Sequence, residues 1–384
     1  MRQDFDADAF EIEVPDGALF DLQERLARTR WPNVEPAGRP WTWGTDQRWL
    51  QGVVEHWRTR YDWRRWEKRL NSVTNYHSVL DGKRIHFMFE RGSGPNPLPL
   101  ILTHGWPGSV VEFLDVIQPL AHPEKFGGDP ADAFTVVVPS LPGYGFSEAP
   151  DAPIGPRDVA ALWSRLMVDV LGCEKYVAQG GDWGGIVTGW LGLEQRRNLA
   201  AVHMNNVPFS AHTDPADPFT AEEIAWLDAN KVRRAGMSAY QDIQGTRPQS
   251  LAYGLTDSPA GLAGWILEKF HEWTNKHEDA PPPFDVDRLL TNVMVYWLTG
   301  INAANWMYAS LVNGTARADT GFVETPCGFL LCPTDFSLPA PEKWIRRRHN
   351  VASYRVADKG GHFFAFEQPE LFVQEVRRFF RGYR

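Results

Sequence analysis

The sequence predicts an α/β protein built on a doubly wound, mostly parallel sheet. Short apolar runs alternate with helix-like segments up to about residue 206, and the alternation resumes at residue 327. Such alternation is typical of a parallel sheet covered by helices. Between these stretches the chain lacks strand-like runs and is rich in aromatic residues. The expected segments are an N-terminal helical extension at 1–85, the first part of the sheet domain at 86–206, an inserted helical lid at 207–318 and the second part of the sheet domain at 319–384.

Three helices are predicted in the N-terminal extension. An apolar repeat at helical spacing runs from Leu19 to Leu26, and we expect Asp16 to cap this helix. Thr45 is expected to cap the second helix, and residues 63–70 form the third.

The sheet domain begins with a hairpin, because Asp81-Gly82 is a strong turn signal between two apolar runs. Strands are then predicted from apolar runs and helices from periodic segments. The predicted strands are 76–80, 84–89, 98–103, 134–139, 175–179, 200–204, 327–332 and 352–356. The predicted helices of this domain are 110–120, 157–171, 341–349 and 369–380.

Charge and composition limit the partners of this chain. A net charge of −9 argues against a nucleic-acid partner, which needs a basic surface. The three cysteines are an odd number without metal-ligand spacing, which favours a reducing compartment. The acidic N-terminus has no signal-peptide pattern, and no run reaches the ~18 apolar residues of a membrane span. We therefore expect a soluble, cytoplasmic protein.

The segment from Gly180 to Gly184 carries the most chemical information. It reads Gly-Gly-Asp-Trp-Gly between a predicted strand and a helix, which is the context of a nucleophile elbow with Asp182 in place of the usual serine. A carboxylate is already ionised at neutral pH and attacks an sp³ carbon that bears a leaving group. Epoxides and alkyl halides are such electrophiles. The alternative is an aspartate that caps the following helix.

A histidine and a second acid follow the elbow in the order nucleophile, acid, histidine that this fold uses. His362 lies in the loop after the last predicted strand, between Gly361 and an aromatic pair. Asp335 follows the preceding strand and is favoured as the acid over Asp214, which follows the strand before the lid. The imidazole would take a proton from water while Asp335 fixes its tautomer.

The predicted oxyanion hole consists of two backbone amides. His104 to Gly108 follow a buried strand, where this fold places one such amide, and we assign it to Trp106. The second is expected from Trp183, directly after the nucleophile. His104 itself is expected to form structural hydrogen bonds.

Opening an epoxide also requires a proton donor to the ring oxygen. Tyrosine suits this role because its ordinary pKa, near 10, keeps it protonated at neutral pH. Spacing alone leaves four lid candidates open, which are Tyr240, Tyr253, Tyr296 and Tyr308.

Several motifs together resemble the microsomal-type epoxide hydrolase family, which includes the juvenile-hormone epoxide hydrolases. The shared motifs are His-Gly-Trp-Pro-Gly at 104–108, Pro-Ser-Leu-Pro-Gly-Tyr-Gly-Phe-Ser at 139–147, Gly-Gly-Asp-Trp-Gly at 180–184, Gly-Gly-His-Phe at 360–363, the lid segments 258–263 and 290–294, and the N-terminal segments 29–32 and 61–64. The resemblance covers nearly the whole chain. It implies an α/β-hydrolase fold and assigns the two proton donors to Tyr240 and Tyr308 and the charge-relay acid to Asp335. We expect no counterpart here to the membrane-anchoring helix of the mammalian members.

The resemblance implies hydrolysis of a small apolar or aromatic epoxide by water, without cofactor or metal. It also implies a homodimer, and a role in detoxification or natural-product biosynthesis. A haloalkane or haloacid dehalogenase is the first alternative, because dehalogenases use the same aspartate nucleophile. They lack the lid tyrosine pair and often place a halide-binding asparagine where this chain has Trp106. A non-enzymatic ligand receptor on the same fold is the second alternative.

Overall fold

A mixed sheet forms the centre of the computed structural model, which describes residues 4–34, 37–274, 279–313 and 321–384. Its strands are β1 (Asp8–Phe10), β2 (Thr74–Leu80), β3 (Lys83–Glu90), β4 (Leu98–Thr103), β5 (Phe134–Pro139), β6 (Tyr176–Gly180), β7 (Leu199–Met204), β8 (Val323–Leu331) and β9 (His349–Val356). They lie in the order β1-β2-β3-β5-β4-β6-β7-β8-β9. The pairs from β1 to β5 are antiparallel, and the strands from β5 to β9 run parallel.

The helices cover both faces of this sheet and fill the interval between β7 and β8. They are α1 (Asp16–Ala27), α2 (Gln47–Thr59), α3 (Trp63–Leu70), α4 (Ile117–Ala121), α5 (Pro156–Arg165), α6 (Trp183–Glu194), α7 (Ala221–Arg234), α8 (Ala239–Thr246), α9 (Pro248–Asp257), α10 (Pro259–Glu272), α11 (Val286–Thr299), α12 (Asn302–Val312), α13 (Glu342–Arg346), α14 (Phe364–Glu367) and α15 (Pro369–Phe380). The predicted α/β-hydrolase architecture is confirmed.

The parallel strands are buried because helices pack on both of their faces. Leu100, Ile101 and Leu102 in β4 have no exposed surface, and all six residues of β5 are buried. A strand that is covered on both sides needs a continuous apolar run rather than an alternating one, and both strands have such a run. Their observed bounds equal the predicted ones.

Helices α7 to α12 lie between β7 and β8 in the chain and pack over the sheet edge. This is the interval in which the lid is predicted. The last residues of the predicted lid, 314–318, lie outside the described residues. The four-segment division of the chain stays a prediction.

The structure corrects two predicted helix caps. Asp16 is the first residue of α1, makes no cap hydrogen bond and instead pairs with Arg64. The second helix is capped by Asp46. Thr45 donates a hydrogen bond of 2.6 Å to the carbonyl oxygen of Gly264 in α10. Long-range contacts, which local sequence does not reveal, therefore decide how both side chains are used.

Candidate active site

Asp182 stands at the sharp turn between β6 and α6. Its backbone has φ 53° and ψ −128°, a strained region for a residue with a side chain. The turn is possible because Gly184 lies against the backbone of Thr103, where a Cβ atom would collide with the carbonyl group. The geometry is that of the predicted nucleophile elbow.

The carboxylate of Asp182 faces the site instead of capping α6. The side chain makes no cap hydrogen bond. Its Oδ1 accepts a hydrogen bond of 2.9 Å from the backbone N–H of Trp106, and its Oδ2 lies 3.3 Å from Nε2 of His362. This arrangement rules out the simple capping interpretation. It leaves one carboxylate oxygen oriented by a backbone amide and the other next to an imidazole.

His362 is held between two carboxylates. Its Nδ1 lies 3.0 Å from Oδ1 of Asp335, on the opposite side of the ring from Asp182. The backbone N–H of His362 donates to the carbonyl oxygen of Trp273 at 2.7 Å, which fixes the loop against the lid. The alternative acid, Asp214, is exposed and accepts a hydrogen bond from a nearby backbone amide. The structure therefore brings Asp335 to the histidine.

The two carboxylates control the charge of His362. Burial favours the neutral imidazole, but Asp335 and Asp182 outweigh it and hold the pKa of His362 well above its ordinary value. These two neighbours therefore favour the protonated imidazole. Loss of the negative charge on Asp182 would remove one of these two influences and lower the pKa of His362.

The loop that carries Asp335 is tied to the lid and to the histidine loop. Arg233, at the end of α7, donates from Nε to the carbonyl oxygen of Asp335 at 2.9 Å and from Nη2 to that of Thr334 at 3.2 Å. The hydroxyl of Thr334 donates to the carbonyl oxygen of Gly360 at 2.9 Å. These bonds fix the separation between the acid and His362.

Two of the four candidate tyrosines face Asp182. Tyr240 and Tyr308 line the same cavity as this carboxylate, and their ring centroids are 5.6 Å apart. Tyr253 is 71% exposed. Tyr296 is buried and donates its hydroxyl to a backbone carbonyl at 2.6 Å. The pair that the family resemblance implies is thus the pair that the fold places opposite the elbow.

The surroundings of the tyrosine pair keep it protonated and fix its position. Burial raises the pKa of Tyr240 and of Tyr308 above the ordinary value. Tyr240 lies between the stacked ring of Trp106, 5.0 Å away, and the ammonium group of Lys269, 4.9 Å from the ring centroid. Gln241 donates to the hydroxyl oxygen of Tyr240 at 2.9 Å. The hydroxyl proton therefore remains available for another acceptor.

Glu112, which lies in the turn before α4, is a site residue that was not predicted from the sequence. It shares a small cavity of about 20 Å³ with Asp182 and His362, enough for about one water molecule. Burial raises the pKa of Glu112 to about 8, and a hydrogen bond from the backbone of Gly105 opposes this shift. The sequence feature that could have indicated Glu112 is its position as an acidic residue inside the apolar segment that follows the His-Gly-Trp-Pro-Gly motif.

The other predicted residues also lie near the elbow. Trp183 is the first residue of α6, and its ring packs 4.8 Å from that of Tyr308. The imidazole of buried His104 accepts a hydrogen bond of 3.2 Å from the backbone N–H of Leu141, and burial lowers the pKa of this imidazole to about 4. A neutral imidazole with such a contact is structural.

A larger cavity of about 410 Å³ opens from Asp182 between the lid and the sheet edge. Its walls are mostly apolar, which suits an apolar ligand. Within the described ranges, no group of three or more His, Cys, Asp or Glu side chains is placed to hold a metal ion. In the same ranges no helix has the length and apolarity that a membrane span requires.

Fold and site together are those of an α/β-hydrolase that carries a carboxylate at the nucleophile position. Comparison with known protein families indicates the same class of protein. The model for the epoxide hydrolase N terminus matches residues 7–113, and the model for the alpha/beta hydrolase fold matches residues 99–243.

Similar proteins cover almost the full chain. A candidate epoxide hydrolase of Stigmatella aurantiaca is 42% identical over 98% of this chain and 85% of that protein. Epoxide hydrolase 1 of Sus scrofa is 32% identical over 96% of this chain and 87% of its own length. The structure of Aspergillus niger epoxide hydrolase superimposes with a TM-score of 0.85 at 29% identity, covering 99% of this chain and 98% of that one. The chain belongs to the microsomal-type epoxide hydrolase family.

Proposed function

We propose that this epoxide hydrolase forms a vicinal diol in two steps through an ester of Asp182. The observation that carries the proposal is the position of this carboxylate. It lies at the elbow, bonded to a backbone amide and next to His362, and it faces Tyr240 and Tyr308 across the cavity. The helices α7 to α12 act as the lid that supplies the tyrosines.

In the first step, an oxygen of Asp182 attacks one oxirane carbon. The bond between that carbon and the ring oxygen breaks, and the oxygen takes a proton from Tyr240 or Tyr308. Both phenols are buried and protonated, so they donate without a prior ionisation. The product of this step is a hydroxyalkyl ester of Asp182.

The first step leaves a tyrosinate, which recovers its proton when His362, now beside a neutral ester, gives up its own. In the second step, water attacks the carbonyl carbon of the ester and gives a proton to the neutral imidazole of His362. Asp335 stabilises the resulting imidazolium. The amides of Trp106 and Trp183 hold the oxyanion, which then collapses and expels the diol with a proton from the histidine. The carboxyl group of Asp182 finally passes its proton to His362, which restores the carboxylate and the imidazolium of the free enzyme. The small cavity beside Glu112 is where we place the attacking water, because it adjoins both Asp182 and His362.

Intact-protein mass spectrometry with styrene oxide tests this scheme, together with chiral analysis of the product. We expect a transient adduct on Asp182 and formation of the diol, and Asp182→Ala should abolish both. Release of halide from alkyl halides, with no diol from any epoxide, would instead indicate a dehalogenase. Tight binding of an epoxide without turnover would indicate a receptor.

We also propose a cytoplasmic homodimer, in line with the composition and with the family resemblance. Size-exclusion chromatography with light scattering should give twice the chain mass of 43.6 kDa. A particle of one chain mass with full activity would contradict the dimer and leave the chemistry unaffected.

A further inference from the structure

The large cavity contains a single positively charged group among the described residues that line it. This group is Arg234, the last residue of α7. The two carboxylates in the lining, Asp182 and Asp335, are both engaged with His362. Most of the remaining wall is apolar. Examples are Trp226, Phe209, Leu338 and Trp344.

The guanidinium of Arg234 forms no hydrogen bond or ion pair with any residue that the structure describes, although the chain has nine more acidic than basic residues. Its guanidinium carbon instead lies 5.5 Å from the ring centroid of Phe336. The adjacent Arg233 binds the carbonyl groups of Thr334 and Asp335 and so has a structural role. Arg233 therefore stabilises the loop that carries Asp335, whereas the N–H donors of Arg234 remain available to a ligand.

The positive charge of Arg234 acts on Tyr240, which is proposed to donate a proton when the oxirane ring opens. Among the influences on Tyr240, burial is the largest and raises its pKa, whereas the positive charge of Arg234 acts in the opposite direction. Phe336 links the two regions, since its ring is 5.1 Å from that of His362. A ligand that spans from Asp182 to Arg234 therefore fits within one continuous cavity.

We propose that Arg234 binds a carboxylate of the substrate, and that this enzyme prefers epoxides with an apolar body and an acidic group. A guanidinium that rests on an aromatic ring presents a planar pair of donors, which matches a carboxylate. The apolar wall accepts the rest of the substrate. This inference rests on the proposed function of Asp182, because the epoxide must lie against that residue.

A series of terminal epoxides with a carboxylate at increasing chain length tests the proposal, each compared with its methyl ester. We expect a higher kcat/KM for the acid than for the ester at one or two chain lengths. Arg234→Gln should lower kcat/KM for those acids about tenfold relative to that for their esters, the scale of one charge-assisted hydrogen bond. Lys231→Gln is the matched control, because it removes a charge from the exposed surface of the same helix without changing the cavity.

Equal kcat/KM values for acid and ester at every length would overturn the proposal, as would equal losses for both in Arg234→Gln. Arg234→Glu provides a second check, since it should reverse the preference toward the esters. Failure of this inference is distinct from failure of the proposed function. If the esters and styrene oxide are hydrolysed without an acid preference, only the role of Arg234 is wrong, whereas no turnover of any epoxide contradicts the role of Asp182.

Discussion

At the scale of single residues, the two carboxylates beside His362 raise the pKa of its imidazole. In the proposed scheme, conversion of Asp182 to a neutral ester would lower this pKa, so that His362 could then accept a proton from water. Replacing the histidine should stop the second step alone. We expect His362→Gln to accumulate the covalent ester, seen as a mass increase equal to that of the epoxide.

The control for this prediction is Asp335→Asn, which keeps the imidazole but removes its charged partner. Ester hydrolysis in this variant should be slowed by about 10² to 10⁴, the range of general-base effects, while alkylation of Asp182 continues. Normal turnover by His362→Gln with no trapped ester would contradict the two-step scheme.

Glu112 gives a second prediction at this scale, concerning pH and stability. Its pKa is raised to about 8 in the folded protein, so between about pH 4.5 and 8 the unfolded chain loses a proton that the folded protein keeps. The free energy of unfolding therefore falls as the pH rises through this window. Glu112→Gln should remove this effect and stabilise the protein at pH 7.5 by on the order of 2 kcal/mol, allowing for partial exposure.

Urea unfolding of both proteins at pH 5 and pH 7.5 measures this difference. The gain should be small at pH 5, because this pH is only slightly above the ordinary pKa of 4.5 at which the unfolded chain begins to lose the proton. An equal gain at both pH values would show that Glu112 is not held protonated by its surroundings.

At the scale of elements, the turn from β6 to α6 depends on glycine at some positions and not at others. A Cβ atom at Gly184 would collide with the carbonyl group of Thr103, whereas one at Gly181 would lie at an ordinary 3.7 Å from Asn205. Gly184→Ala should therefore destabilise the protein by about 3 kcal/mol or more and remove activity. Gly181→Ala should change the free energy of unfolding by less than about 1 kcal/mol.

Thermal unfolding of the two variants provides the comparison. Equal melting temperatures would mean that the turn tolerates a side chain at Gly184, and that the close approach to Thr103 does not hold the elbow in place.

The same elements show what local sequence determines. The strands β4 and β5 were predicted to the residue, because buried parallel strands need unbroken apolar runs. The short β1 was not predicted, since its three residues form a strand only by pairing with β2. Asp182, Asp335 and His362 were predicted from their positions at strand ends. Glu112 was not, because its approach to the site depends on tertiary packing.

At the scale of the whole molecule, the segments that join the N-terminal helices contact α10 and α11, which lie between β7 and β8 in the chain. Trp41 stacks on His271 of α10 with ring centroids 3.6 Å apart, and Tyr61 is within 3.0 Å of the Thr291 hydroxyl in α11. The same helix α10 carries Lys269, whose ammonium lies over the ring of Tyr240. The extension therefore contacts α10, the helix that places Lys269 over Tyr240.

A tryptophan substitution tests whether these parts unfold together. Trp57 in α2 has no exposed surface, and its replacement by alanine leaves a cavity that should cost about 3–5 kcal/mol. If the extension, lid and sheet form one cooperative unit, Trp57→Ala should lose activity and native fluorescence at the same, lowered urea concentration. Trp43→Ala is the control. Because Trp43 is 72% exposed, its replacement should change neither the urea concentration at which activity is lost nor the one at which native fluorescence is lost. Loss of activity well before the main unfolding transition would show that the extension and lid detach while the sheet remains folded.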